Sequence, residues 1–347
     1  MNMRWPVSTA VFPAALLVLA ACSGGGDDTA APADTTAGED IEPSELVLYS
    51  GRNEDLVQPV IDRFEEETGI EVSARYGNTA QVAAQLMEEG ERTEADVFFA
   101  QDGGALGALS KAGMLAELPA EVLDLVDERF QAGDGSWVGT SGRARVIVYD
   151  ADVLEESDVP DSIFELTGPE WRGKVGIAPG NASFEAFVTA IRVLHGEDAA
   201  REWLEGMAAN DVERFDNNNL ILNAVDDGVV ELGLINHYYW YQKVAEEGRD
   251  AVTARLKFLP GGDPGSLINV AGVGVLNTSD HTEEALTFVE YLLGEEAQGY
   301  FAEETKEYPV LEGVPTDEDL PPLDSLDAPA MDLSDLDTLD ETIRMIE

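Results

Sequence analysis

The chain has 347 residues, with 70 Asp and Glu against 20 Lys and Arg, and a formal charge of −50 at pH 7. So acidic a surface repels phosphate backbones and anionic headgroups, which argues against nucleic acid as a partner. The single cysteine excludes a disulfide within the chain and any cysteine-based metal cluster.

The first residues read MNMRWPVSTAVFPAALLVLAACSGGG. Arg4 precedes an apolar run from about Val11 to Ala21, too short to span a bilayer comfortably and suited to the hydrophobic region of an export signal. It ends in Leu19-Ala20-Ala21-Cys22, which resembles a bacterial lipobox. Residues 1–21 are therefore expected to be a lipoprotein signal peptide. Cys22 is expected to be the lipidated residue, with acyl chains anchoring an exported protein to the membrane. Residues 22–44 are rich in Gly, Ala, Thr, Pro and acid without an apolar period, as in a disordered linker. No later segment is long and apolar enough to cross a membrane. The acids are spread along the whole chain, which favours adaptation to a salty habitat over cation attraction.

From residue 45 the pattern alternates. ELVLYS (45–50) predicts a strand, EDLVQPVIDRFEEETG (54–69) a helix ending in Gly, IEVSARYG a strand, TAQVAAQLMEEG a helix, ADVFFA a strand and GALGALSKAG a helix. GRARVIVYD (142–150) predicts a strand crossing into a second lobe. A strand and helix follow in KVGIAPGNASFEAFVTAIRVLHG, and helices in AAREWLEGMAAN and NNNLILNAVDDG. VELGLINHYYWYQKVAEEG reads as strand then helix, LINVAGVGVL as a returning strand, and TEEALTFVEYLLGEEAQGYFAEE as closing helices.

The expected fold is α/β, a largely parallel sheet covered on both faces and organised as two hinged lobes with a ligand cleft between them. The N-lobe is expected at about 45–145 plus 255–280. The C-lobe is expected at about 146–254 plus the C-terminal helices, with an acidic tail from about 308 to 347 draped over the surface. Ligands in such sheets sit beyond the carboxyl ends of strands. That makes SGRNE, AQDGG and the residues after ELGLIN the candidate loops. Tyr238 and Tyr239 stand in the last of these, where both phenols can face one cleft; aromatic packing is the alternative. Phenolate is a hard oxygen donor suited to a trivalent cation, which must displace a proton of pKa about 10.

LYSGRNE, ADVFFAQDGGALGALSKAG, WVGTSGRARVIVYD, APGNASFEAF, INHYYWY, GGDPGSLINVAGVGVL and FAEETKEYPV occur in this order between about Glu45 and Val310. Together they resemble the ferric-iron-binding proteins of bacterial ABC importers. The resemblance implies a two-lobe periplasmic-binding fold (type II-like), Fe(III) held by Tyr238 and Tyr239, and an exogenous carbonate or phosphate completing the coordination. It also implies an ABC permease and its ATPase as partners, and a monomer. The remaining family ligands are replaced. Asn53 stands where some members have a histidine, Gln101 where they have a glutamate, and Phe184 where others have a third tyrosine. Glu54 is a possible carboxylate ligand or a solvated helix-start acid. His237 is expected beside the tyrosines as a supporting donor rather than a ligand. Asn181, Ala182 and Ser183 match the family's anion loop at a helix start; N-capping explains Asn181 and Ser183 equally. Asn218 and Asn236 match further anion donors, and Arg52 is a candidate to grip carbonate bidentately. Arg143 and Arg145 share one face of a strand, for anion contact or a salt bridge.

A receptor for a phosphonate, thiamine or polyamine on the same fold is the alternative function. A hydrolase lacks support, since neither GxSxG nor HExxH is present.

Overall fold

The computed structural model describes residues 45–347. The expected signal peptide, Cys22 and the linker lie outside them. Strand β1 (Glu45–Ser50) is followed by a helix, Glu54–Thr68, that buries Val57, Val60, Ile61 and Phe64 on one face. Each such burial contributes about 1.5–3 kcal/mol. Asn53 caps this helix by accepting from the Asp55 N–H, and Gly69 ends it at φ 73°.

Strands β2 (Glu71–Tyr76), β3 (Val97–Ala100), β4 (Val138–Asp150), β5 (Val175–Ile177), β6 (Glu213–Arg214), β7 (Leu232–Asn236), β8 (Ala254–Lys257), β9 (Ile268–Val275) and β10 (Tyr308–Pro309) complete the set. They follow the order β2-β1-β3-β9-β4-β7-β5-β6, with β8 and β10 also paired to β4. β1 is parallel to β2 and β3, and β5 to β6 and β7. β4 and β9 run against their neighbours. The sheet is thus parallel only on its flanks, because the strands that carry the chain between lobes must run out and back.

β4 belongs to both lobes, and all 13 of its residues are buried. Val138–Ala144 pairs with β9, whereas Arg145–Tyr149 pairs with β7. The change of partner falls between Ala144 and Arg145. The return to the N-lobe comes later than residue 255: β8 still pairs with Ile147–Asp150, and the crossing lies between Lys257 and Ile268. The closing helices Thr282–Leu292 and Glu295–Tyr300 join the N-lobe rather than the C-lobe. Phe288 and Tyr291 pack edge-on against Phe64, and the Tyr300 hydroxyl donates to the Leu56 carbonyl. They follow directly from an N-lobe strand and fold back over it.

The expected draped tail is instead built into the core. Tyr308, Leu320, Leu333, Leu336 and Thr342 are buried. β10 adds to β4 opposite Ser141 and Gly142. The tail's regularly placed leucines supply the apolar anchors that its acidity masks. Among the described residues no helix is long and apolar enough to cross a membrane.

Candidate functional site

The carboxyl end of β7 delivers Asn236 opposite Arg145 and opens the helix His237–Glu247. Tyr238 and Tyr239 occupy that helix's first turn. Their rings stack with centroids 4.2 Å apart and planes 30° apart, and both line a cavity of about 160 Å³. Tyr238 is buried and Tyr239 half-buried. Burial foremost, then Tyr239 and the Glu307 carboxylate, hold the Tyr238 phenol well above its ordinary range, with Arg143 opposing. A bare phenolate is therefore disfavoured here until a cation compensates it.

The other walls come from both lobes. Gln101, Asp102, Arg143, Leu267 and Asn269 stand on the N-lobe or the crossing strands; Arg145, Asn181, Ala182, Ser183 and Asn236 stand on the C-lobe side. Arg143 and Arg145 share one face of β4 and flank its change of partner. Both are almost wholly buried, and among the described residues neither forms a salt bridge. Arg143 donates to the Gln101 carbonyl while its Nη1 stays buried without a partner. Arg145 donates to Ser183 Oγ (3.1 Å), Asn236 Oδ1 (3.4 Å), Asn218 Oδ1 (3.5 Å) and the Leu234 carbonyl (2.9 Å). Its Nε also lacks a partner. Burial lowers the guanidinium of Arg145 to about 9 and lowers that of Arg143. Neither has a carboxylate in salt-bridge contact among the described residues, and the nearby charges of Glu307 and Asp102 only partly offset the burial of Arg143, so these two desolvated cations favour an anion between them.

Arg145 also sets the polarity of its neighbours. By taking the oxygens of Asn218 and Asn236, it turns their amide donors away from itself. Asn218 Nδ2 then donates to Asn181 Oδ1 (3.1 Å) and Ser183 Oγ (3.2 Å). Asn181 Oδ1 also accepts from the Ser183 N–H and hydroxyl, capping the helix Ala182–His195. N-capping and membership of the cavity wall are thus both true of Asn181. What remains to offer a ligand is the Asn181 and Asn236 amide groups, the first-turn N–H of Ala182, and Arg143 Nη1.

Not every expected residue reaches the cavity. Arg52 is wholly buried elsewhere, its two terminal nitrogens 3.2 and 3.1 Å from the two oxygens of Glu307. Its fork is already filled, so it cannot grip carbonate in this arrangement. Asn53 and Glu54 are exposed, the first as a helix cap and the second in the first turn, where solvation favours both. His237 lies beneath the pair, stacked on Tyr308 at 4.6 Å, and its Nδ1 accepts from the Ala144 N–H. Burial lowers it to about 3, so it is a neutral support, not a cavity-lining group. Phe184 packs into the C-lobe core with Phe187 and Trp203. Gln101 does line the cavity.

Sequence reasoning missed Asp102, Asn269 and Glu307. Asp102 caps the helix Gly103–Lys111, and Asn269 accepts from the Gly103 N–H. Glu307 takes Arg52 and the Ser141 hydroxyl. The signal for Glu307 was an acid directly before the apolar Tyr308-Pro309-Val310. Among the described residues no cluster of three His, Cys, Asp or Glu side chains stands ready to hold a metal.

The family described as "Bacterial extracellular solute-binding protein" matches residues 93–333. The chain is 35% identical over 306 residues to the major ferric iron-binding protein of Neisseria meningitidis serogroup A, covering 88% of this chain and 92% of that one. It is 33% identical to the Fe(3+)-binding periplasmic protein of Serratia marcescens, covering 84% and 87%. In structure it resembles iron-bound HitA from Pseudomonas aeruginosa, with a TM-score of 0.80 and 36% identity over 88% of this chain and 98% of that one. With the fold, the cleft and these relatives in agreement, the chain belongs to the bacterial extracellular solute-binding proteins, a family of binding proteins and not of enzymes.

Proposed function

We propose that the cleft captures ferric iron outside the cytoplasmic membrane and delivers it to an ABC permease and its ATPase for import. The observation that carries this is the stacked Tyr238–Tyr239 pair facing a cavity whose two buried arginines, among the described residues, form no salt bridge. The iron is cargo. Tyr238 and Tyr239 hold it as phenolates, each giving up a proton to the cation's field. A carbonate or phosphate fills further positions, held by Arg143, Asn181, the Ala182 N–H and Asn236. Ser183, Asn218 and Arg145 fix those donors from behind. Both phenols come from the C-lobe, and the N-lobe offers Arg143 and the weakly ligating Gln101. Iron is thus gripped by one lobe, while the anion spans both. The protein works as an exported monomer tethered through lipidated Cys22. Two cationic side chains on the cavity disfavour a polyamine.

The test is visible absorption of the purified protein titrated with ferric citrate in bicarbonate or phosphate buffer. Phenolate-to-Fe(III) charge transfer gives a strong band that amides and carboxylates do not produce. The expected result is a band saturating at one equivalent and absent from the Tyr238→Phe, Tyr239→Phe double variant. Absence of any band, in either anion, sinks the iron reading and turns the search to small organic anions.

A further inference from the structure

The last fifteen residues touch both lobes at the helices that frame the cavity. The first contact is on the N-lobe. Residues Leu333–Asp337 form a short 3-10 turn lying on the helix Gly103–Lys111, which begins at the cavity residues Gln101 and Asp102. The approach is backbone to backbone. A Cβ on Gly104 would stand 2.5 Å from the Leu336 carbonyl oxygen, and one on Gly107 would stand 2.4 Å from that of Ser334. Glycine inside a helix costs about 1 kcal/mol against alanine, so this helix sacrifices stability to admit the tail. Leu333 and Leu336 are buried, the Trp137 indole N–H donates to Ser334 Oγ (3.2 Å), and Lys111 pairs with Asp335 and Asp337.

The second contact is on the C-lobe. The helix Leu339–Ile346 lies on Ala182–His195, which begins at the cavity residues Asn181–Ser183. Thr342 and Thr189 share a hydrogen bond of 2.6 Å between buried hydroxyls. Arg192 donates to the Thr338 carbonyl (2.8 Å) and to Thr342 Oγ1 (2.7 Å). Met345 and Ile346 are partly buried against the C-lobe core. The turn Leu333–Asp337 also approaches the helix Ala182–His195, and only Thr338 links it to the terminal helix, so there is no slack between the two contacts.

We infer that residues 333–347 are a strap fastening the N-lobe helix 103–111 to the C-lobe helix 182–195, and that its terminal helix must let go before the cleft can open fully. The two attachments are unequal. The N-lobe attachment has a glycine seat, buried leucines and two ion pairs. The C-lobe attachment also has hydrogen bonds from Arg192 and Thr189 and an Arg192–Glu341 pair of 3.8 Å, but its apolar contacts are only partly buried and its eight-residue helix is too short to persist unaided in water. The C-lobe attachment therefore yields first. The strap adds a constraint that neither the ligand nor β4 supplies, and its release governs how fast cargo leaves.

Two variants test this. One lacks Leu339–Glu347. The other carries Thr189→Cys and Thr342→Cys in a Cys22→Ser background, so that oxidation staples the terminal helix down and reduction frees it. Small-angle X-ray scattering of the iron-free protein reads opening directly. Loss of the charge-transfer band to a competing chelator reads release, and this arm alone rests on the iron reading. The expected result is release faster by about five- to 150-fold on truncation, the usual span of coupling between linked sites, with the band itself unchanged. Oxidation of the staple slows release and shrinks the scattering envelope, and reductant reverses both. If truncation unfolds the protein, the staple decides, because its two states are the same polypeptide. Equal scattering profiles for oxidised and reduced staple overturn the strap. A missing band with a responsive staple overturns the iron reading and leaves the strap standing.

Discussion

Glu307→Gln removes the charge that balances Arg52 while keeping nearly the same shape. Both side chains are about 1% exposed or less, and their two near-parallel hydrogen bonds join residues 255 positions apart. Breaking a buried pair on one side strands the other charge, at a cost of about 3–5 kcal/mol. An entropy of unfolding of about 2.1 cal/mol/K per residue, over roughly 300 described residues, converts this to a fall in Tm of about 5–8 °C. Calorimetry and urea unfolding on both proteins measure it. The acid limb is a second check. Burial pushes the Glu307 carboxyl up, but Arg52, Arg143 and the Ser141 hydroxyl together hold it below the usual range. A carboxyl lowered in the folded state contributes stability that is complete above its unfolded value of about 4.3 and fades as pH falls through the folded value. The gap between wild type and variant should therefore narrow below about pH 4. A loss under about 1 kcal/mol, the size expected of a surface pair, would refute the reasoning.

Other outcomes follow from the same geometry. Tyr238→Phe alone should weaken the charge-transfer band and lower iron affinity at least tenfold in competition with citrate; an unchanged band would remove Tyr238 from the shell. Because two phenols lose protons on binding, the logarithm of iron affinity, corrected for the chelator, should rise with pH at a slope of about two below the phenol range. A slope near zero would mean that neither phenol ionises. Gly107→Ala should cost about 1–3 kcal/mol by pressing a methyl group into the Ser334 backbone, read as a lower urea midpoint with an unchanged slope. Asn181→Ala should cost about 1 kcal/mol as a lost helix cap. It should also raise the bicarbonate concentration needed for full colour, which a purely structural cap would leave alone.

Much of the fold was legible because its elements are periodic. β1 and the helix from Glu54 fall where the apolar spacing put them, and the Tyr238–Tyr239 pair was visible as a strand-to-helix junction. Arg143 and Arg145 could be placed on one face from the strand period alone. What escaped depends on contacts between residues far apart in sequence. Arg52 looked free until Glu307 arrived from the other end of the chain. The direction of β4 and β9 could not be read, since alternating strands and helices do not reveal where the chain crosses between lobes. The tail's acidity concealed its buried leucines. One sign was available and went unread: glycines at 103, 104 and 107 inside a helix announce that something lies against them.

That glycine seat bears on how the molecule is made. The helix 103–111 is covered by residues more than 200 positions later, and Trp137 reaches Ser334 across 197. Contacts of such separation form slowly, because the intervening chain must be brought together before they stabilise anything. More than 200 further residues must be made after this helix before it can be sealed, so the N-lobe wall of the cleft is among the last parts of the fold to be completed.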